Sequence, residues 1–286
     1  MTLSGDSLFV RQPASGQFQK FSYASFTNAV AFSLDPFGRL YVLDAGTNQL
    51  YQISPEGETV RKIGGYGWSE LAFDRPADLS TPNGLDVYVA DYGNHRVQRF
   101  DQNFNFISTL YLRENENASE RFGYPAGIAV SGHGDLFLSD GENSRIVKIV
   151  NNTTFDKAFG GIDAGNGRLQ HPSKIRLSPE DQVYVQDGNS VKVFDVFGNY
   201  LRTFGEGMFG NLHSFRIDRD VFGVLDSSSV RFFGMNNDLL QTIDLSEIQS
   251  GDERQSARDF IFSDTSLYVL TAQTLYILDL SDLFNR

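Results

Sequence analysis

Apolar and polar positions in this chain alternate in short runs. They do not recur at helical spacing. The pattern is plainest in VYVADYGNHRVQRFD, residues 87–101, where an apolar triplet leads into an aspartate, a polar turn and a second alternating run. Alternation at a period of two marks a half-buried strand. Similar stretches follow along the chain. LYVLDAGTNQLYQIS starts at Leu40, LFLSDGENSRIVKIV at Leu136, VYVQDGNSVKVFD at Val183, LYVLTAQTLYILD at Leu267, and the more divergent FGVLDSSSVRFFG at Phe222. The middle residues of the triplets are Tyr41, Tyr88, Phe137, Tyr184, Gly223 and Tyr268, at intervals of 47, 49, 47, 39 and 45 residues.

Each unit extends on both sides of the triplet. Pro76, Pro125 and Pro172 lie twelve residues before their triplet centres and open PADLS, PAGIAVS and PSKIRLS, read as short strands. After the second alternating run come a turn and a further strand: ETVRKIGG, NFISTLYL, NYLRTFGE, LLQTIDL. A unit is therefore strand a, turn, strand b, tight turn, strand c, turn, strand d. Four short strands repeated every 40–50 residues or so describe a β-propeller blade. The N-terminal SLFVRQPASGQFQKFS, residues 7–22, reads as a c–d pair, and the C-terminus supplies RDFIF, SLYVL and TLYILD as a, b and c. The expected fold is all-β: six four-stranded antiparallel blades, residues 1–286 forming one domain, with the two ends sharing the last blade. Sharing a blade closes the ring and removes exposed sheet edges. One c-like strand, SLFV or TLYILD, is in excess and is expected as an outer strand or a loosely held end. The most polar connections, LRENENASERF (112–122) and SEIQSGDERQSARD (246–259), are read as d–a loops, the second with a turn of helix.

Composition fits strands more than helices. The chain has 27 Gly, 25 Phe and 12 Tyr, and 40% of its residues are hydrophobic, enough for a sizeable core. The net charge of −12 and pI of about 4.7 argue against nucleic acid, which is held mainly by Lys and Arg. Absence of cysteine excludes disulfides, thiol catalysis and thiolate metal sites. No apolar run approaches the roughly 18 residues of a membrane span. The start, MTLSGDSLFVRQP, lacks the basic and apolar regions of a signal peptide. Of the two locations this allows, an extracytoplasmic one with a leader removed is preferred to the cytoplasm.

The repeat, P-x-G-I-A followed by YVAD and GNHRVQRFD, resembles the NHL repeat. Asn94, His95, Arg96 and Val97 fall on that family's asparagine, histidine or serine, arginine and apolar positions, and Pro125, Gly127 and Ile128 on its P-x-G-I. The resemblance implies a six-bladed propeller. It leaves activity open, because the family includes extracytoplasmic sensor and binding domains, RNA-binding domains, and amidating and streptogramin lyases, and one fold hosts many functions.

The aspartate after strand b recurs as Asp44, Asp91, Asp140, Asp187 and Asp226, with Thr271 in the sixth unit. Catalysis rarely needs five copies of one acid, whereas a tight turn uses a carboxylate to accept backbone N–H groups. These residues, with Asn94, are assigned to turn structure. Asn48, Asn94 and Asn143 are expected to take left-handed φ there, and Arg96 and Arg145 to pair with acidic turns. The four histidines, His95, His133, His171 and His213, are too scattered over the two faces to supply the three or so ligands of a catalytic zinc, so no metal or other cofactor is expected. Strand a is mostly small or apolar (Ala31, Ser80, Ala129) but carries Lys174, Arg176 and Arg216 in the fourth and fifth units, near His171 and His213. Buried charges need partners, and Asp78, Asp218 and Asp259 are the candidates. Unpaired, the same cations would draw an anionic group. In the first d–a loop, Tyr66, Trp68 and Phe73 could form an interface patch.

These observations favour a monomeric, non-catalytic binding propeller. A protein, peptide or glycan would be recognised by the loop face and channel mouth through Tyr66, Trp68, His171, Lys174, Arg176, His213 and Arg216. The rival reading is a lyase or lactonase with a divalent metal in the channel.

Overall fold

The computed structural model describes residues 17–22, 24–249, 256–263 and 265–280. It is a six-bladed β-propeller of four-stranded antiparallel sheets. Strands a to d span Ala29–Leu34, Leu40–Asp44, Gln49–Ile53 and Thr59–Gly64 in blade 1. In blade 2 they span Asp78–Ser80, Asp86–Asp91, Arg96–Asp101 and Phe106–Leu110. In blade 3 they are Pro125–Val130, Leu136–Asp140, Arg145–Val150 and Thr154–Phe159. Blade 4 follows with Pro172–Leu177, Val183–Asp187, Ser190–Phe194 and Tyr200–Phe204. Blade 5 has Ser214–Asp218, Val221–Leu225, Ser229–Gly234 and Leu239–Asp244.

Blade 6 joins the two ends of the chain. Its strands a to c are Ala257–Phe262, Ser266–Thr271 and Leu275–Asp279, and Gln19–Lys20 supplies strand d by pairing with Ile277 and Tyr276. The segment TLYILD is thus an ordinary strand c, and SLFV lies outside the described residues. The expected turn of helix is present at Ser246–Gln249.

The a strands contact one another in cyclic order and surround the channel. Packing occurs between blades, not within them. Tyr88, Val97 and Leu110 of blade 2 meet Ile128, Leu138 and Val147 of blade 3 in one cluster, and the clusters at the other blade interfaces are built the same way. The period-two pattern follows from this geometry. Each sheet presents apolar side chains to a neighbour on both faces, so strand b is buried along its length.

The five aspartates stand at the b–c turns. Asp44 accepts the backbone N–H of Thr27 and Asn28 at 2.9 and 2.8 Å. Asp91 accepts that of Asp74 at 2.8 Å, and Asp187 those of Gln170 and His171 at 2.9 and 2.7 Å. Each of these carboxylates fastens the d–a loop arriving at its own blade. Asp226 turns inward on Ser228 and Ser229.

The asparagines depart from expectation. Asn48 has φ of 54°, but in blades 2 and 3 the left-handed residues are His95 (54°) and Ser144 (49°). Asn94 and Asn143 sit one position earlier and donate side-chain N–H groups to Asp91 and Asp140, both at 2.8 Å. Asn48 is spaced four residues from its aspartate and the other two are spaced three, so the same residue type serves two turn positions.

Candidate functional site

The structure separates the seven residues expected to bind a partner into two groups on different parts of the molecule. Lys174, Arg176 and Arg216 lie inside the channel. Tyr66, Trp68, His171 and His213 belong to the d–a loops.

Five charged side chains meet in the channel. Asp259, fully buried, accepts from Lys174 Nζ at 3.2 Å and Arg216 Nη2 at 2.9 Å, and from Ser214 Oγ at 2.6 Å. Arg176 Nη1 donates to Asp78 Oδ2 at 3.0 Å, while its Nη2 stands 3.8 Å from Asp259. Asp218 makes no ion pair among the described residues, so Asp78 and Asp259 alone supply the negative charge. The bonds reach every blade. Asp78 also accepts the Ile128 N–H, and Lys174 and Arg216 donate to the carbonyls of Val30 and Phe32.

Burial and charge compete in this cluster. Burial alone would raise the Asp259 carboxyl, but Arg216, Lys174 and Arg176 outweigh it and hold the group well below the usual carboxylate range. Desolvation, with Arg176 beside it, lowers Arg216 to about 10. Desolvation lowers Lys174 as well, against the pull of Asp259 and Asp78. Arg176 is raised: its own desolvation is overcome by Asp78 and Asp259.

One layer along the channel, a ring takes one residue from each blade: Ser33, Ser80, Ala129, Arg176, Arg216 and Ile261. Each pairs across the sheet with the centre of its blade's apolar triplet, from Tyr41 to Tyr268. The register resolves the divergent fifth unit, placing Arg216 in the same layer as Arg176, and puts Ser33 in the ring in place of Ala31. All six line a cavity of about 450 Å³ that extends to Asp35, Pro36 and Pro82 at the a–b turns. The arginines therefore face the side opposite the d–a loops. Sequence reasoning missed this cavity, although counting across from the triplet centres identifies its ring.

On the other face, the loop from Gly65 to Ala77 carries Tyr66 and Trp68, 80% and 56% exposed, with Leu71 beside them at 47%. Phe73 is fully buried and anchors the loop. Arg96 is buried beneath it. Its guanidinium donates to Asp91 Oδ2 and to the carbonyls of Trp68, Ser69 and Ala72 at 2.7–2.9 Å, and lies 4.9 Å from the Trp68 ring centroid. Tyr111 meets Trp68 edge to face, centroids 5.7 Å apart. Burial pushes the Asp91 carboxyl up, opposed by Asn94, the Asp74 N–H and Arg96.

The histidines do not converge. His133 is exposed at an a–b turn near Asp181, on the face opposite the other three. His171 is exposed, and its backbone N–H is taken by Asp187. His213 Nδ1 meets the Ala257 carbonyl at 3.1 Å and its Nε2 meets Asn211 at 2.8 Å. His95 accepts the Tyr124 N–H through Nδ1 and contacts Arg113 through Nε2. Desolvation and Arg113 lower its pKa. A channel metal of the kind the rival reading requires does not fit this set. Among the described residues no three histidine or carboxylate side chains gather, and the channel carboxylates are already engaged by three cations.

Comparison with known proteins agrees with this architecture. The NHL repeat family model matches residues 73–100 and 122–149, which cover most of blades 2 and 3. The chain is a six-bladed β-propeller, and the two matched repeats, in blades 2 and 3, are NHL repeats. It is 28% identical over 148 residues to protein brain tumor of Drosophila melanogaster, covering 50% of this chain and 14% of that protein. It is 25% identical over 162 residues to NHL repeat-containing protein 3 of Homo sapiens, covering 51% and 44%. It is 24% identical over 120 residues to the probable peptidyl-alpha-hydroxyglycine alpha-amidating lyase pgal-1 of Caenorhabditis elegans, covering 40% and 34%. The matches thus span less than half the length of each relative. Among solved structures, virginiamycin B lyase from Staphylococcus aureus superposes with TM-score 0.67 at 10% identity, covering 93% of this chain and 99% of that one. A gluconolactonase from Xanthomonas campestris gives 0.66 at 12%, covering 97% and 98%. At such identities the likeness concerns the fold alone.

Proposed function

We propose that this propeller is a binding module that captures an extended protein or peptide segment on its d–a loop face, with Trp68 and Tyr66 as anchors. The observation that carries this reading is the exposed aromatic pair on a loop that Arg96 and Phe73 hold rigid from below. A rigid aromatic binds with little loss of side-chain freedom, and aromatic anchors dominate many interfaces. The lyase named among the relatives favours an enzymatic alternative, but the engaged channel carboxylates and scattered histidines speak against a metal-dependent one.

Trp68 is the only tryptophan, so its emission reports directly on this face. Peptides selected from a displayed random library against the purified chain are expected to shift Trp68 emission. They are expected to lose at least tenfold in affinity to Trp68→Ala and Tyr66→Ala, an effect of about 1.4 kcal/mol or more, with Tm unchanged. Binders that leave the emission unmoved and tolerate both substitutions would place the interface elsewhere.

A further inference from the structure

The channel cluster contains three cations, Lys174, Arg176 and Arg216, and two carboxylates, Asp78 and Asp259. One positive charge is therefore left over in a site where all five side chains are largely withdrawn from water. An uncompensated buried charge is costly unless something neutralises it. Arg176 and Arg216 keep 15% and 12% of their side chains exposed, and both line the channel cavity; Arg216 also borders a second one beside Asp218 and Arg219.

The donors that face this cavity are not all used. Among the described residues, Arg176 Nε and Nη2 and Arg216 Nε donate no hydrogen bond, and none of the three is a buried, unsatisfied atom. Each of the three therefore keeps some access to solvent, on side chains that line the cavity. The acidic residue that lines the cavity, Asp35, is occupied. It accepts from the Arg39 guanidinium at 2.7 Å and from the N–H groups of Phe37 and Arg39. The rest of the ring is small, hydroxylic or apolar: Ser33, Ser80, Ala129 and Ile261. At about 450 Å³ the space lies within the roughly 300–1,000 Å³ usual for small-molecule sites.

From this arrangement we infer that the cavity at the a–b end of the channel binds a small organic acid, with one carboxylate on Arg176 and Arg216 and a compact, weakly polar body against Ser80, Ala129 and Ile261. The planar guanidinium fork suits a carboxylate better than an ammonium does. The bound anion balances the leftover charge and also touches blades 4 and 5, so ligand binding tightens the ring. This site lies on the face opposite Trp68 and does not depend on that loop's function.

The test uses the purified full chain and four acids, acetate, lactate, benzoate and phenylacetate, each beside its neutral amide. Thermal denaturation and calorimetry are expected to show saturable stabilisation by at least one acid and none by the corresponding amide. Trp68 emission stays unchanged. Two variants locate the site. Arg216→Met removes the donor, and Ala129→Met fills the cavity while leaving every charge in place, so it remains informative if the arginine variant fails to fold. Loss of the acid's effect in Ala129→Met supports the site. The inference is overturned if no acid exceeds its amide, or if the effect persists in Ala129→Met.

Discussion

Arg96 shows what one side chain contributes in this fold. Its guanidinium joins the b–c turn of blade 2 to the loop entering that blade, with one bond to Asp91 and three to carbonyls of that loop. Removing one member of a buried ion pair leaves the other uncompensated, which costs about 3–5 kcal/mol. Arg96→Ala is therefore expected to lower unfolding free energy by about that amount in urea denaturation. Trp68 emission should shift to longer wavelength, because the ring loses the cation beneath it. A loss under about 1 kcal/mol, the value of an exposed pair, would show that the pair is effectively solvated. Asp91 and Arg96 were legible in the sequence because the turn recurs, the aspartate in five blades and the arginine again as Arg145. The left-handed residue was not. Asn94 has the right residue type, but the backbone places that conformation four residues after the aspartate, at His95, and only the structure shows which of the two spacings is the left-handed one.

At the scale of the element, strand a is where the blades meet most closely. Gly127 is the glycine of the P-x-G-I signature, and a Cβ there would lie 2.0 Å from the Ser173 carbonyl oxygen on strand a of blade 4. The glycine is needed for close approach and not for unusual φ, since Gly127 is absent from the positive-φ glycines. Gly127→Ala forces two innermost strands apart, and such overpacking costs about 1–3 kcal/mol. Gly132→Ala is the control, because its Cβ would meet nothing within 4 Å, and its effect should stay within about 0.5 kcal/mol. Equal effects of the two substitutions, measured by denaturant midpoint, would remove the close-approach argument. The strands themselves could be read from alternation and turn residues. Their register at the channel follows only from a count across the a–b turn, eight residues back from the triplet centre in blades 1 to 4 and seven in blades 5 and 6. Ala31 stands ten residues before Tyr41 and Ser33 eight, so that count puts Ser33 in the ring.

Across the whole molecule, the channel cluster does what no local contact can, since its bonds run between blades far apart in sequence. Arg176 and Asp78 are 98 residues apart, and Lys174 and Asp259 are 85. Periodicity carries no information about which acid meets which base across a channel. The candidates could be named from the need to pair, while the pairing of Asp78 and Asp259 with all three cations depends on ring closure. Closure makes the stability of the propeller depend on pH through Asp259. Its carboxyl is held below the ordinary range when folded and returns to about 3.9 when unfolded. A carboxyl depressed in the native state stabilises fully above its unfolded pKa, and the contribution fades as pH falls, because the unfolded chain then binds the extra proton. Native stability should decline below about pH 4 with a component that belongs to this residue. Asp259→Asn keeps an oxygen for Ser214 but removes the charge that Lys174 and Arg216 share. It should be markedly less stable than the natural chain at neutral pH, with the gap narrowing as both are acidified from about pH 5 to about pH 2. Taking the difference cancels the other carboxyls of this acidic chain, so urea denaturation of both proteins across that range isolates the channel. A gap that stays constant with pH would mean that Asp259 contributes by shape and hydrogen bonding, and that its charge is not what ties the blades together.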